Sequence, residues 1–170
     1  MDTILVAVVV LVLIIMSTLL ITVSVFQSAN TLGDAWKDME SQSISISETE
    51  ISVLFTGNYT DGLIDVAVQN EGRTNLYDYP SWDVIIQYQS GDASHLSYAA
   101  TYPPESGEWA IEGIVMADGS PEVFDPNILD PGEVMIVALN PETEIGIGKT
   151  GRIVISTPNG VTSQCFVTRD

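Results

Sequence analysis

The sequence predicts an α+β protein in which one long apolar N-terminal α-helix precedes an antiparallel, immunoglobulin-like β-sandwich. Three patterns support this fold class. A nearly unbroken apolar run extends from Ile4 to Phe26, helical spacing of apolar residues continues to Met39, and alternation of apolar and polar residues follows. We therefore expect the helix over residues 1–42 and one outer domain over residues 43–170.

The apolar run has the length of a membrane span. About 20 apolar residues let a helix cross a hydrocarbon core of roughly 30 Å, and a helix satisfies its own backbone hydrogen bonds in lipid. The run has no charge after Asp2, and only four hydroxyl residues interrupt it: Ser17, Thr18, Thr22 and Ser24. The segment is therefore predicted to be helical and to be inserted in a membrane before any assembly.

Two other interpretations of the run fit less well. A signal peptide has basic residues before its apolar region and a small-residue cleavage site after it, and neither pattern is present. A plain anchor takes its orientation from nearby Lys or Arg residues, yet the nearest is Lys37, on the far side of the span. Taken alone, Lys37 would place the C-terminal part in the cytoplasm. This conflict disappears if a short basic leader preceded Met1 and was removed, so we expect such a leader; the alternative is that Met1 is an initiator methionine.

The helix is predicted to continue beyond the apolar run. Phe26, Ala29, Gly33, Trp36 and Met39 recur at spacings of three and four, with polar residues between them. This pattern is typical of an amphipathic helix. Its apolar side is a candidate surface for contacts with other helices.

After residue 42 the alternation of apolar and polar residues predicts β-structure. Ile44, Ile46, Ile51, Val53 and Phe55 predict one strand, or two strands with a break at residues 48–50. Turns rich in glycine separate the later candidates, and the last two form the clearest hairpin. The further predicted strands are Leu63–Gln69, Trp82–Gln89, His95–Thr101, Glu108–Met116, Glu133–Leu139, Gly151–Thr157 and Val161–Val167.

The composition argues against nucleic acid as a partner and against an enzyme. The chain has 23 Asp and Glu against 5 Lys and Arg, a formal net charge of -18, which repels polyanions. It has one His and one Cys, and it has no P-loop, G-x-S-x-G or H-E-x-x-H motif. We therefore predict no catalytic residues, no cofactor and no metal.

The combination of these features resembles the archaellins and the related archaeal type IV pilins. The resemblance covers the whole chain, although each phrase alone is weakly specific. Bacterial type IV pilins usually have Glu at the fifth mature position, where this chain has Leu5, and this difference favours the archaeal branch. The phrases that support the resemblance are Val66–Gly72, Asp83–Tyr88, Leu129–Glu133 and Ile153–Gly160.

The resemblance implies a subunit of an extracellular filament, a homopolymer that forms from membrane-inserted precursors. It also implies a prepilin peptidase, an assembly ATPase and a platform membrane protein as partners. Three functions stay open: an archaellum subunit for motility, an adhesion pilin, and a membrane-anchored accessory protein that binds the cell envelope. The predicted polymerisation residues are Ile4, Val8, Leu11, Ile14, Ile15, Leu19, Phe26, Trp36 and Met39.

Other candidate sites are weaker. The sequon Asn58-Tyr59-Thr60 is expected in an exposed turn, where Asn58 could be glycosylated. The loop from Glu122 to Pro131 gathers oxygen ligands suited to Ca²⁺ but lacks the EF-hand spacing. We interpret the carboxylate pairs Glu48/Glu50 and Glu142/Glu144 as solvated surface, His95 as a surface or interface residue, and Cys165 as a buried strand residue rather than an intermolecular bridge.

Overall fold

The computed structural model describes residues 2–60, 62–122 and 125–169, without the side chains of Asp2 and of residues 55–60. The expectation about Met1 lies outside these residues. The chain divides into two compact units, residues 1–43 and residues 44–170. The first unit consists of helix α1, which begins at Asp2 and ends at Glu48, so its last turn belongs to the second unit.

The second unit is a β-domain of eight strands, as the alternation predicted. The spatial order of the strands is β1-β2-β6-β5-β4-β3-β7-β8. The strands are β1 Ile51–Thr60, β2 Leu63–Asn70, β3 Asp83–Tyr88, β4 Ala93–Tyr98, β5 Glu108–Met116, β6 Glu133–Asn140, β7 Thr150–Ser156 and β8 Thr162–Thr168.

The strands form two antiparallel halves that are joined by one short parallel pair. In the first half β2 lies between β1 and β6, and β6 pairs with β5. In the second half β3 lies between β4 and β7, and β7 pairs with β8. Only Ser97↔Glu108 and Tyr98↔Trp109 join β4 to β5, in parallel. Because β1 and β8 also approach each other, the sheet is nearly closed and sandwich-like.

One hydrophobic core fills the space between the two halves. Alternate residues of each strand point inward, as period-two patterning requires. Trp109, Met135 and Leu96 are fully buried there. The fold class predicted from the sequence is thus confirmed, with the parallel β4–β5 pair as the exception to antiparallel pairing.

The prediction that Ile44 and Ile46 belong to a strand is wrong. Both residues lie in α1, which continues past residue 42. Side-chain hydroxyls stabilise this end of the helix, since Thr49 Oγ1 donates to Ser45 O at 2.8 Å and Ser47 Oγ donates to Ile44 O at 3.0 Å. The alternation of Ile and Ser fits either element locally, and contacts inside the outer unit select the helix.

Candidate assembly helix

Helix α1 contains all nine predicted polymerisation residues, and within the chain it leaves every one of them exposed. The exposed fractions of these nine residues range from 56% for Val8 and Ile15 to 74% for Trp36. Among the described residues, α1 alone has the length and apolar composition of a membrane span, with a mean hydropathy of 3.3 in its most apolar window. Apolar surface of this extent needs lipid or other protein around it.

Three of the four hydroxyl side chains inside the apolar run, those of Ser17, Thr18 and Thr22, are hydrogen-bonded within the helix. Thr18 Oγ1 donates to Ile14 O at 3.0 Å, and Thr22 Oγ1 donates to Thr18 O at 2.8 Å. Ser17 Oγ donates to Leu13 O. Because these hydroxyls have partners one turn back, they add little cost when the helix enters an apolar environment.

Helical geometry refines which residues form one face. At about 100° per residue, Met39 lies roughly 140° around the helix from Phe26, so the predicted stripe of Phe26, Trp36 and Met39 is too wide to be a single seam. Leu32, Trp36 and Met39 lie much closer together. Leu32 is 60% exposed and is absent from the predicted polymerisation residues. The spacings of four from Leu32 to Trp36 and of three from Trp36 to Met39 could have identified it.

The same spacing of four and three extends along the whole helix. We call this set of residues the heptad seam, because spacings that alternate between four and three give the 3.5-residue period of coiled coils. On a straight helix the seam drifts by about 20° per heptad, so it winds slowly around α1. Ile14, Leu19 and Phe26 lie off the seam. Its members are Ile4, Val8, Leu11, Ile15, Thr18, Thr22, Val25, Ala29, Leu32, Trp36 and Met39.

Apart from Asp2 at its first position, charge in α1 is confined to the second half of the helix. No Asp, Glu, Lys or Arg occurs between Thr3 and Gly33, whereas Asp34, Lys37, Asp38 and Glu40 follow. The first half is therefore suited to a fully apolar environment, and the second half combines an apolar seam with a charged side. This is the arrangement expected of a helix that leaves a membrane or a bundle core and enters water.

The last turn of α1 is fastened to the β-domain by hydrogen bonds within the second unit. The Asn159 side-chain amide donates to Ser45 O at 3.2 Å and to Thr49 Oγ1 at 2.8 Å. On the other side, the Arg73 backbone N–H donates to Glu48 O at 2.7 Å. Two loops of the β-domain thus hold the end of the helix.

The structure places Asn58 differently from the expected turn. Backbone pairing continues to Thr60↔Leu63, so Asn58 lies in β1, at an irregularity in the pairing between Thr56 and Tyr59. The longer β1 arises because its pairing with β2 resumes after the irregularity. The side chain of Asn58 lies outside the described residues, and its glycosylation stays a prediction.

The acidic loop does not assemble a metal centre from its described residues, since no group of three or more His, Cys, Asp or Glu side chains has a suitable arrangement. Val123 and Phe124 of this loop lie outside the description. Desolvation raises the pKa of Glu122, and the carboxylates of Glu133, Asp130 and Asp125 raise it further. The cluster is therefore a site of mutual repulsion in this structure.

The remaining candidates occupy separate places. Glu144 pairs with Arg169 while Glu142 is exposed, and Glu48 ends α1. His95 Nε2 lies 3.2 Å from Asp83 Oδ1 on an exposed face. Cys165 is half-buried in β8 and packs against the core, and its burial raises the pKa of the thiol to about 11. A thiol with so high a pKa is poorly reactive at neutral pH.

The structure thus defines a two-part class of protein, in which a helix of membrane-spanning length precedes a nearly closed β-sandwich. No family profile and no curated protein matches this sequence. Solved structures, however, share the fold of about 70% of the chain.

Three of the structures that share the fold come from archaellum proteins. The archaellum periplasmic stator protein FlaG from Sulfolobus acidocaldarius aligns with a TM-score of 0.53 and 18% identity, covering 70% of this chain and 99% of that chain. The FlaF and FlaG stator complex from the same organism aligns with a TM-score of 0.53 and 18% identity, covering 70% of this chain and 89% of that chain. The archaeal flagellin FlaB1 from Methanocaldococcus jannaschii aligns with a TM-score of 0.54 and 10% identity, covering 71% of this chain and 90% of that chain. At these identities the comparison establishes the fold.

Proposed function

We propose that this chain is a structural subunit of an extracellular helical filament of the archaellum type, assembled through α1, and that it is not an enzyme. The observation on which this rests is the exposed apolar helix. Each buried Val, Leu or Ile side chain contributes about 1.5–3 kcal/mol, so packing many such helices together is strongly favourable. Before assembly the same helix resides in a membrane.

The heptad seam suggests how the helices pack. A period of 3.5 residues keeps one face of a helix against a neighbour over many turns. Contacts that do not close on themselves extend such packing into a helical polymer. The proposed core is a bundle of parallel α1 helices, with the acidic β-domains outside. A prepilin peptidase, an assembly ATPase and a platform membrane protein are the proposed machinery.

A membrane-anchored accessory protein of the archaellum is the second candidate function. The FlaG alignment, which covers 99% of a protein described as a periplasmic stator, favours it. In that case α1 would serve as a single anchor, and the seam would need no partner of its own kind. An adhesion pilin would share the filament architecture and would differ in motility.

Expression of the full chain in an archaeal strain that has the archaellum machinery but lacks its own archaellins separates these functions. The proposed subunit forms filaments that are visible by electron microscopy and that bind an antibody against the β-domain. Swimming distinguishes a rotating filament from an adhesive one. Chain that stays in the membrane as single copies would support the accessory protein instead.

Variants of α1 test the packing directly. Ile14 lies off the seam, but the first half of α1 is apolar on every face, so Ile14→Asp still places an unpaired carboxylate inside the proposed core. It should abolish filaments at a cost of several kcal/mol per subunit, whereas Ile14→Val should preserve them. On the second half of the helix, Leu32→Asp should abolish filaments, while Gln27→Asp, outside the seam, should shorten them less. Normal filaments from Ile14→Asp would refute the helix core.

A further inference from the structure

Basic side chains are distributed very unevenly over the β-domain. Within the eight described strands, Arg152 on β7 is the one Lys or Arg. Strands β1, β2, β5 and β6, which form one half of the sheet, have none. Since the whole chain has a net charge of -18, two copies that meet at random faces repel each other, and stable contacts require complementary faces.

The first of two such faces surrounds Arg152, and we call it the arginine face. Strand register aligns Gln87, Arg152 and Phe166 in one row across β3, β7 and β8. All three side chains are exposed, and Phe166 is 63% exposed. The row lies along a shallow groove of about 280 Å³ that Gln89 and Thr150 also line.

The second face lies on the other half of the sheet, and we call it the carboxylate face. Asp65 of β2 pairs in register with Ala138 of β6, which pairs with Ala110 of β5, next to the irregularity at Glu112. Tyr102 belongs to the segment between β4 and β5, which is tied to β5 where the Ala99 N–H donates to Trp109 O at 2.8 Å. The Glu112 carboxylate, then desolvation and Asp65, raise the pKa of the Tyr102 hydroxyl. Tyr102 is 48% exposed.

The two faces are complementary in chemistry but cannot meet within one copy. Each is the outward side of strands whose inward residues share a single core, so the faces point away from each other. Arginine binds carboxylates through two parallel hydrogen bonds, and a phenyl ring packs favourably against a tyrosine ring. The two faces are therefore complementary in charge, and each carries an exposed aromatic ring.

We propose that neighbouring copies of this chain contact each other head to tail, with Arg152 and Phe166 of one copy against Glu112, Asp65 and Tyr102 of the next. A contact between two different faces is heterologous, and it leaves the arginine face unpaired at one end of the row and the carboxylate face unpaired at the other. The β-domains would thus form open rows rather than closed dimers. This inference rests on the proposed function insofar as assembly brings the copies together.

Cysteine cross-linking of the full chain tests the contact. Arg152→Cys and Glu112→Cys are combined in a Cys165→Ala background and oxidised, both in isolated membranes and in assembled material. The expected result is a ladder of dimers, trimers and longer species on a non-reducing gel. Arg152→Cys with Glu71→Cys, which lies in an exposed turn, is the matched control and should yield at least about tenfold less ladder, since contacts between faces are specific.

A product that stops at dimers would overturn the head-to-tail contact, and so would the absence of cross-links in chains that have assembled. Failure of the parent chain to assemble would instead count against the proposed function, and the membrane sample would then decide the contact by the presence or absence of a ladder.

Charge reversal gives an independent measurement. Arg152→Glu and Glu112→Arg should each lower the amount of assembled protein by about tenfold, because each juxtaposes like charges. The combined variant should recover most of it, since the pair is restored with exchanged partners. Lack of recovery in a double variant whose β-domain is folded by circular dichroism would contradict the pairing.

Discussion

Asn159 and Thr49 are joined by a hydrogen bond of 2.8 Å between the amide of one and the hydroxyl of the other, although they are 110 positions apart in sequence. Thr49 is buried, and its hydroxyl also lies 3.1 Å from Thr74 Oγ1. Asn159 is in turn held by Thr157, whose hydroxyl donates to Asn159 Oδ1 at 2.6 Å. The β7–β8 turn thus binds the end of the helix through Asn159.

The variant Asn159→Asp should loosen this junction. It retains the acceptor for Thr157 but loses the donor to Ser45 O and Thr49, and it places a carboxylate near the Ser45 carbonyl. Loss of a buried hydrogen-bonded partner costs about 1–3 kcal/mol. We expect the free energy of unfolding in denaturant to fall by this amount, whereas Asn75→Ala, at an exposed position, should change it little. Equal stability of the two variants would refute the role of Asn159.

Gly72 should not tolerate a side chain, because a Cβ there would lie 2.5 Å from Glu48 O and 2.6 Å from Glu50 N. These are backbone atoms that cannot move without shifting the helix end, and overpacking costs about 1–3 kcal/mol. Gly113→Ala is the matched control, since nothing lies within 4 Å of the added atom. Thermal unfolding should rank Gly72→Ala well below Gly113→Ala, and the opposite ranking would contradict the close approach.

Glu122→Gln should stabilise the protein at neutral pH. The folded-state pKa of Glu122 is raised by desolvation and then by Glu133, Asp130 and Asp125, so its ionisation favours the unfolded state. The stability that protonated Glu122 contributes is present at acid pH and is lost as pH rises through its raised pKa. The advantage of the variant should therefore appear at pH 7 and shrink as pH falls through the carboxylate range.

Denaturant unfolding at several pH values measures this difference. Glu71→Gln, which removes an equal charge from an exposed turn, is the control and should show a smaller change at pH 7. A Glu122→Gln variant that is less stable than the parent at pH 7 would mean that the ionised carboxylate has a stabilising partner.

A fragment comprising residues 44–170 should fold and stay soluble without the rest of α1. It forms a compact unit with its own hydrophobic core, and it retains the helix turn held by Asn159. Circular dichroism should show β-structure, and light scattering should show no filaments. Filaments formed by this fragment would contradict assembly through α1, and an unfolded fragment would contradict its independence.

The sequence by itself determined the two kinds of element. An apolar run with no charge between Thr3 and Gly33 predicts a helix, because a single helix satisfies its own backbone hydrogen bonds where water is excluded. A segment rich in aromatic and β-branched residues, with glycine just outside each end, likewise located Glu108–Met116 as a strand with both ends correct. These are local properties, which the chain expresses without distant contacts.

Only the tertiary structure decided where the helix ends and how the strands are arranged. Ile44 and Ile46 alternate with serine and suit a strand equally well, but hydrogen bonds from Asn159 and Arg73 hold this segment as helix. The parallel contact of Ser97 with Glu108 and the placement of Arg152 and Glu112 on different faces follow from strand order. Contacts between residues far apart in sequence fix that order, and no local pattern contains it.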